Sequence, residues 1–592
     1  MKNKEKNQPA PKNLMLRYSI IFLLINLFFS FLLNLIFVAF KLKLTNIYTI
    51  ISFILAVAIS SFYLYSNKDK IKKKEADLFV YWLIILLSYV GAGCLYVGII
   101  ILINQVKIVY AYDLIMFGSF CVFVSYFLYK NRKNLKKDGV MYLYRTQVGI
   151  KIIDYIGTKY KKTLRVISFL AVTTGYLLMI AMIYFTYKLV EVYLFRQDVV
   201  QAIKVPPIMP LMPYVPELFK VNFLPPFYAT YWIVSIAVIA IFHEFAHGII
   251  ARRYDVKIKT TGFGFLGPFL AAFVEPDEKS MMKKTKFQQI SILAAGTFTN
   301  LILAIIFLIM LFGFFNLAYT PSGAIFEGYY PARVNISELN YIAGYDVSGL
   351  SKQEMIKLIE EKNITDNILF GQSGNEFKLI EIKDSNKNKY FINTLELKSQ
   401  LARKYNFTDL IKSDMPAIQA GLKGTIISID DKKVSKHSDL VIIMQNYNPG
   451  DEIVIKTKYA EKEFNYKIIL TENPVLEGKA FIGIVNSAPS DGFLRKLFNF
   501  FREPGTYYDP IRFKDLTIFI YDLIWWLALI NLSVALMNML PVALFDGGRM
   551  FMLTVWAITG NQKIAEKVFK FMTYLLLFCL LLLMIGYIRA MF

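Results

Sequence analysis

The chain has 592 residues, of which 56% are apolar, 16% aromatic and only 19% charged, against about a quarter charged in ordinary soluble domains. Lys and Arg outnumber Asp and Glu by 67 to 44, a formal charge of +23, and there are just three histidines. This excludes a disordered chain and argues against a soluble enzyme. The basic residues alternate with long apolar runs, so the charge reads as a membrane-topology signal, with no nucleic-acid partner expected. Cys94, Cys121 and Cys579 all lie inside apolar runs and imply no disulfide framework.

Runs of at least about 18 apolar residues qualify as spanning helices. They occur at roughly 19–40, 47–65, 79–104, 107–129, 164–190, 228–252, 289–317, 515–541 and 567–590, with a shorter apolar piece at 549–559. The expected fold is a polytopic α-helical protein of about nine or ten spans in the cell membrane. The basic N-terminal stretch (Lys2 to Arg17) lacks a cleavage site and reads as the flank of a retained helix. Segments rich in Lys and Arg precede Ser19, join Tyr65 to Phe79 and join Tyr129 to Val166. They fall on alternate sides of the spans, so one topology puts them all, with the N-terminus, in the cytoplasm, against anionic lipid headgroups. Arg252, Arg253, Lys257, Lys259, Lys283, Lys284 and Lys286 obey the same rule.

Five segments follow. Residues 1–200 hold membrane helices without an assigned role, and 201–227 form a Pro-rich connector on the outer face. Residues 228–317 and 514–592 are the two halves of a membrane core, flanking an extracytoplasmic α+β region at 318–513. That region carries a weak internal repeat. Pro331-Ala332 precedes Ile342-Ala343-Gly344-Tyr345-Asp346-Val347, and Pro416-Ala417 precedes Ala420-Gly421-Leu422 and Ile429-Asp430-Asp431-Lys432-Lys433-Val434. The later copy, about 395–485, resembles a PDZ domain; the earlier, about 320–365, is degenerate. The resemblance implies grooves that take a peptide or protein ligand as an added strand.

Two of the three histidines form His243-Glu244-Phe245-Ala246-His247 in an apolar run. A spacing of i and i+4 puts both imidazoles on one helical face, able to share a metal ion, with Glu244 beside them as proton acceptor from bound water. Ionisable groups at membrane depth are costly and point to function. A catalytic zinc needs a third protein ligand. His437 lies in the outer region, and Glu275 and Asp277, which a thermolysin-like arrangement suggests, belong to a basic cytoplasmic loop. The run from Tyr228 carries His243 roughly 22 Å along a path of about 30 Å. Asp546, at the inner end of the next-to-last long span, reaches similar depth and completes the expected set.

With these residues the chain resembles the site-2 protease family of intramembrane zinc metallopeptidases, in its archaeal form with a PDZ-like insertion. His243-Glu244-x-x-His247 is similar to the family's metal-binding motif, and Asn538-x-x-Pro541 leading to Asp546-Gly547 to its second. Ala295-Gly296-Thr297-Phe298-Thr299-Asn300 resembles the small-residue motif between them, and the segment from Gly267 to Glu278 a re-entrant strand. Thr297 and Phe545 depart from the usual proline and leucine without removing a ligand or the base.

The resemblance implies a protease that cuts transmembrane segments of membrane-protein substrates near the cytoplasmic side, with one zinc ion held by His243, His247 and Asp546 and with Glu244 as general base. Asn538 and Asn300 are expected to support substrate or transition state. The Gly-rich run 257–275, including Gly264, Phe265 and Gly267, is expected to form a re-entrant strand pair that captures an extended substrate. The competing readings are a non-catalytic PDZ-bearing adaptor and, further off, a metal transporter. An adaptor has no use for the intact His243, Glu244, His247 and Asp546, and a transporter none for Glu244 between the histidines.

Overall fold

The computed structural model describes residues 78–485, with breaks of one to four residues, and 501–591. The expected spans at 19–40 and 47–65 therefore lie outside the described residues, as does Gly267. The described chain divides into a unit of helices, ending at Leu311 and resuming at Ile518, and a second unit, Phe312–Thr517.

Among the described residues the helices of ten residues or more in the first unit are α1 (Leu78–Ile103), α2 (Ile108–Asn131), α3 (Ile150–Lys159), α4 (Lys161–Phe195), α5 (Ala229–Arg253), α6 (Lys286–Ala318), α7 (Lys514–Asn538), α8 (Asp546–Thr559) and α9 (Gln562–Met591). Seven of them, all but α3 and α8, are long and apolar enough to cross a membrane. This is a polytopic helical membrane protein, and exposed apolar side chains along its long helices, such as Ile180, Ile309 and Phe578, make a surface suited to lipid.

Local chemistry explains the helix ends. Thr285 and Gln288 form a reciprocal capping box at the start of α6, Thr285 N donating to Gln288 Oε1 at 3.1 Å and Gln288 N to Thr285 Oγ1 at 3.3 Å. Among its described residues the connector before α5 stays irregular except for a single turn, Val215–Leu218, because its prolines lack the N–H that a ladder needs. It is tied down by Glu217 Oε1, which accepts Phe227 N at 2.7 Å, and by Trp526 Nε1, which donates to the Pro226 carbonyl at 3.0 Å. The start of α5 has no side-chain cap of its own. Asp113 of α2 caps it instead, accepting Ala229 N at 3.1 Å and Thr230 N at 2.7 Å together with the Tyr214 hydroxyl.

Between the helices lies an antiparallel sheet in the order β1 (Leu135–Asp138), β2 (Met141–Thr146), β3 (Ile258–Leu266), β4 (Phe269–Pro276). The basic loop after α2 thus supplies a hairpin that pairs with β3, Tyr144 opposite Phe263 and Leu143 opposite Gly264. One face of the sheet, with Tyr142 and Phe265, packs into a core with Leu83, Leu86, Leu114 and Leu128 of α1 and α2.

The second unit holds two larger sheets. One joins Pro331–Asn335, Leu339–Ile342, Tyr345–Asp346, Ile368–Gln372, Asn375–Asp384, Lys389–Ile392 and Phe407–Lys412. The other joins Thr425–Ile429, Glu452–Tyr459 and Lys462–Ile469 to Tyr319–Ala324 and Thr506–Pro510. The division therefore differs from the expected copies at 320–365 and 395–485. The strand at 407–412 belongs with the earlier residues, and the strand at 319–324 with the later ones. The 86 residues from 330 to 415 are inserted between Tyr329 and Pro416 of a domain whose strands flank them.

Candidate metal centre and active site

His243 and His247 face the same side of α5, their Nε2 atoms 3.0 Å apart. Asp546, the first residue of α8, puts Oδ2 at 3.2 Å from His243 Nε2 and 3.3 Å from His247 Nε2. Its position follows from the sequence before it. Pro541 cannot continue α7, so the chain turns back over Met539 to Phe545. Gly547 and Gly548 then let it return at close range: a Cβ at Gly548 would lie 2.1 Å from the Val542 carbonyl oxygen, and one at Gly547 2.5 Å from the Met539 carbonyl.

Three donor atoms with edges of 3.0, 3.2 and 3.3 Å match one tetrahedral zinc, whose bonds of about 2.0–2.1 Å space its ligands about 3.3 Å apart. Both imidazoles also present the right tautomer. His247 Nδ1 donates to the Ile292 carbonyl at 2.6 Å, which frees Nε2 as an electron-pair donor. His243 Nδ1 lies 3.0 Å from the side-chain amide of Asn300, which is fully buried with its oxygen unpartnered when the nitrogen is turned to the ring. Turning the amide over lets that oxygen accept the ring N–H, satisfies the orphan and frees His243 Nε2 as well. Gly296 of α6 faces both rings; a Cβ there would lie 2.5 Å from His247 Nε2. Donor set, tautomers and cradle all fit zinc.

Glu244 is within the same reach: its carboxylate and the two histidines offer ligand atoms all within 4.8 Å of one another. Two carboxylates thus border the pair. Asp546 shares one oxygen between both rings, whereas Glu244 Oε2 accepts the Val274 backbone N–H of β4 at 3.1 Å. The pair is enclosed but not sealed, with side-chain exposures of 10% for His243, 15% for His247 and 21% for Asp546.

Other expected site residues sit elsewhere. Asn538 is half-buried at the end of α7, one turn before the Pro541 reversal. Gly264 and Phe265 are not at an edge: β3 is interior, paired with β2 on one side and β4 on the other. Among the described residues β4 is the strand of this sheet with an open side near the histidines. Glu275 accepts from Thr260 at 2.7 Å and pairs with Arg145, and Asp277 pairs with Lys259, both away from the histidines. His437 begins a helix of the second unit, its N–H donating to Thr506 Oγ1.

Sequence reasoning missed the supports. The Ile292 carbonyl and Val274 N–H are backbone groups without a side-chain signature. α4 also matters: Ala171 and Met179 pack with Met539 and Met550 on either side of Asp546, and Tyr176 shares a 2.5 Å hydrogen bond with Thr554. The helices left without a role thus help to build the site, α2 by capping α5 and α4 by backing α8.

Such a centre inside a bundle of apolar helices defines a class, the zinc metalloproteases of membranes, which act on membrane-protein substrates within the bilayer. Residues 231–583 match the sequence profile of peptidase family M50, and the chain belongs to this family, that of the site-2 proteases. It is similar to a Borreliella burgdorferi protein named "Putative zinc metalloprotease", 22% identical over 433 residues, covering 61% of this chain and 97% of that one. It is also similar to an uncharacterised protein of Methanocaldococcus jannaschii, 25% identical over 194 residues, 32% of this chain and 48% of that one.

Proposed function

We propose that the enzyme hydrolyses a peptide bond within a transmembrane segment of its substrate, with His243, His247 and Asp546 holding the zinc ion and Glu244 as the proton carrier. The observation that carries this reading is the shared Asp546 oxygen against both imidazoles. When bound, the ion would supply Lewis acidity, enough to polarise a scissile carbonyl and to let water lose a proton near neutral pH. Glu244, held by Val274 N–H, takes that proton as the water oxygen bonds to the carbonyl carbon. It returns the proton to the amide nitrogen as the C–N bond breaks, leaving a carboxylic acid and an amine, which pass the acid's proton between them to end as carboxylate and ammonium. Asn300 then acts through His243 as a positioning residue, and Asn538 remains a candidate donor to the substrate. Replacing Asp546 with Ala is expected to abolish zinc retention, whereas replacing Glu244 with Gln is expected to leave it; zinc retained at full stoichiometry without Asp546 would make Glu244 the ligand.

A helical substrate hides its peptide bonds, so the cut segment must be extended first. The open side of β4 supports capture there: in an antiparallel pair alternate residues point the same way, so Val274, Ala272 and Leu270 all turn their backbone groups away from β3. A substrate strand added to β4 passes Glu244. Proline at Ala272 or Leu270 tests it indirectly and N-methylation of the substrate backbone directly; unchanged turnover would remove the idea.

We also assign the β1–β2 hairpin and the loop after α5 to the cytoplasmic side. Their pairing in one sheet requires a common side, and both are basic. The second unit is then extracytoplasmic and PDZ-like, selecting substrates by excluding large outer domains or by binding a newly exposed chain end. Deleting residues about 320 to 510 should loosen selectivity while zinc stays bound; retained selectivity would count against this role.

A further inference from the structure

A cavity of about 60 Å³ opens between α2, α5 and the sheet, lined by Phe120, Ile236, Ala237, Ala240, Leu270 and Ala272 among others, almost wholly by carbon. It is several times the ~10–15 Å³ that one water needs, and an apolar lining of this kind stays dry. It is not an isolated void, because two paths run into it from Glu244. Along α5, Ala240 precedes Glu244 by four residues and Ala237 by seven, so the stripe that carries the carboxylate also lines the cavity. Along β4, Ala272 and Leu270 lie two and four residues from Val274, whose N–H holds Glu244, and so share its sheet face. Four residues of helix span about 6 Å and two residues of strand about 6.6 Å, so both paths put the cavity at the same distance from the carboxylate.

We propose that this cavity is a specificity pocket for one large aliphatic or aromatic side chain of the substrate, two residues from the cleaved bond. The inference rests on strand capture at β4. A residue paired opposite Ala272 projects its side chain to the face that Ala272 itself uses, which is the cavity. The helices preceding the catalytic core take part in selection here, since Phe120 of α2 forms one wall. Half-buried Phe120, Ala237, Ala240 and Ala272 leave the space reachable.

The test is a scan with full-length enzyme in lipid nanodiscs and a membrane-embedded substrate carrying Ala, Leu, Phe or Trp at each of the two residues on either side of the cleaved bond. Wild type is expected to favour Leu or Phe over Ala by at least about tenfold in kcat/KM at one site two residues from the bond. Ala237→Leu, which fills the space, should erase that preference, bringing the Leu and Phe substrates down to the level of the Ala substrate. Phe120→Ala, which enlarges it, should admit Trp. Zinc content reports folding of each variant. Equal loss on every substrate, or a preference unchanged by both variants, as a lipid chain in the cavity would give, overturns the pocket. Strand capture is judged separately by N-methylating the substrate backbone at the same residue. Cleavage that still falls on N-methylation while the side-chain preference is absent refutes the pocket alone; cleavage that ignores N-methylation refutes the capture beneath it.

Discussion

Gly296→Ala removes the space on which the paired imidazoles depend. A Cβ at Gly296 would lie 2.5 Å from His247 Nε2 and 2.6 Å from both Cε1 and Nε2 of His243, where ordinary contact begins at 3.4 Å. Both rings would need to retreat by about 0.8–0.9 Å, several times the ±0.2 Å tolerance of a metal–ligand bond. Neither can do so cheaply, since Ile292 holds one ring and Asn300 the other. The expected result is a loss of zinc affinity at least as large as the ~10–100-fold cost of deleting an outer-shell partner, read as metal content after dialysis against a graded chelator. Gly313→Ala on the same helix is the control. A Cβ there meets nothing within 4 Å, so zinc should be unchanged and the helix slightly stabilised. Full zinc retention in Gly296→Ala would refute the reasoning that both rings converge beneath this residue.

Other changes act through the supports. Asp113→Ala leaves the first N–H groups of α5 without a partner and should cost about 1–3 kcal/mol in thermal or denaturant unfolding; wild-type stability would mean water replaces the carboxylate. Asn300→Ala should weaken zinc binding about 10–100-fold by releasing His243, whereas an effect confined to kcat with zinc affinity intact would return Asn300 to the substrate. In the second unit, burial would raise the Asp384 carboxyl, but hydrogen bonds from Asn388, Tyr390 and Asn386 outweigh it and hold the group below the ordinary aspartate range. A depressed pKa contributes stability above the unfolded value of about 3.9 that fades as pH falls through the folded one. Asp384→Asn should therefore lower the unfolding temperature of this unit at pH 7 and narrow its gap to wild type near pH 3.

The sequence made the grouping of His243, His247 and Asp546 legible because its signals are local. Two histidines four apart in an apolar run state a helix face, and the orientation expected from the basic loops sets a depth, which brought Asp546 forward over Glu275 and Asp277. Span ends such as 228–252 differ from the observed Ala229–Arg253 by one residue, since hydropathy changes sharply there. What stayed hidden depends on partners distant in sequence. Asp113 sits alone in an apolar run and says nothing of the helix it caps 116 residues later. The loop after α2 read only as basic, although Asp138-Gly139 is a hairpin dipeptide and was the available signal. Its strands form because β3 offers an edge. That pairing turned the expected capture site from Gly264 and Phe265 to the open side of β4. The repeat in the second unit divides differently by strand pairing for the same reason: Tyr319–Ala324 pairs with a strand a hundred residues further on.

Zinc analysis of wild type and Glu244→Gln, alongside cleavage of a membrane-embedded substrate by each, tests the central claim most directly. Stoichiometric zinc is expected in both proteins, with cleavage reduced by at least about 10²–10⁴-fold in the variant, the usual worth of a positioned general base. Equal cleavage by the two proteins, or loss of zinc from Glu244→Gln, would contradict the assignment of Glu244 as proton carrier beside a His243–His247–Asp546 centre.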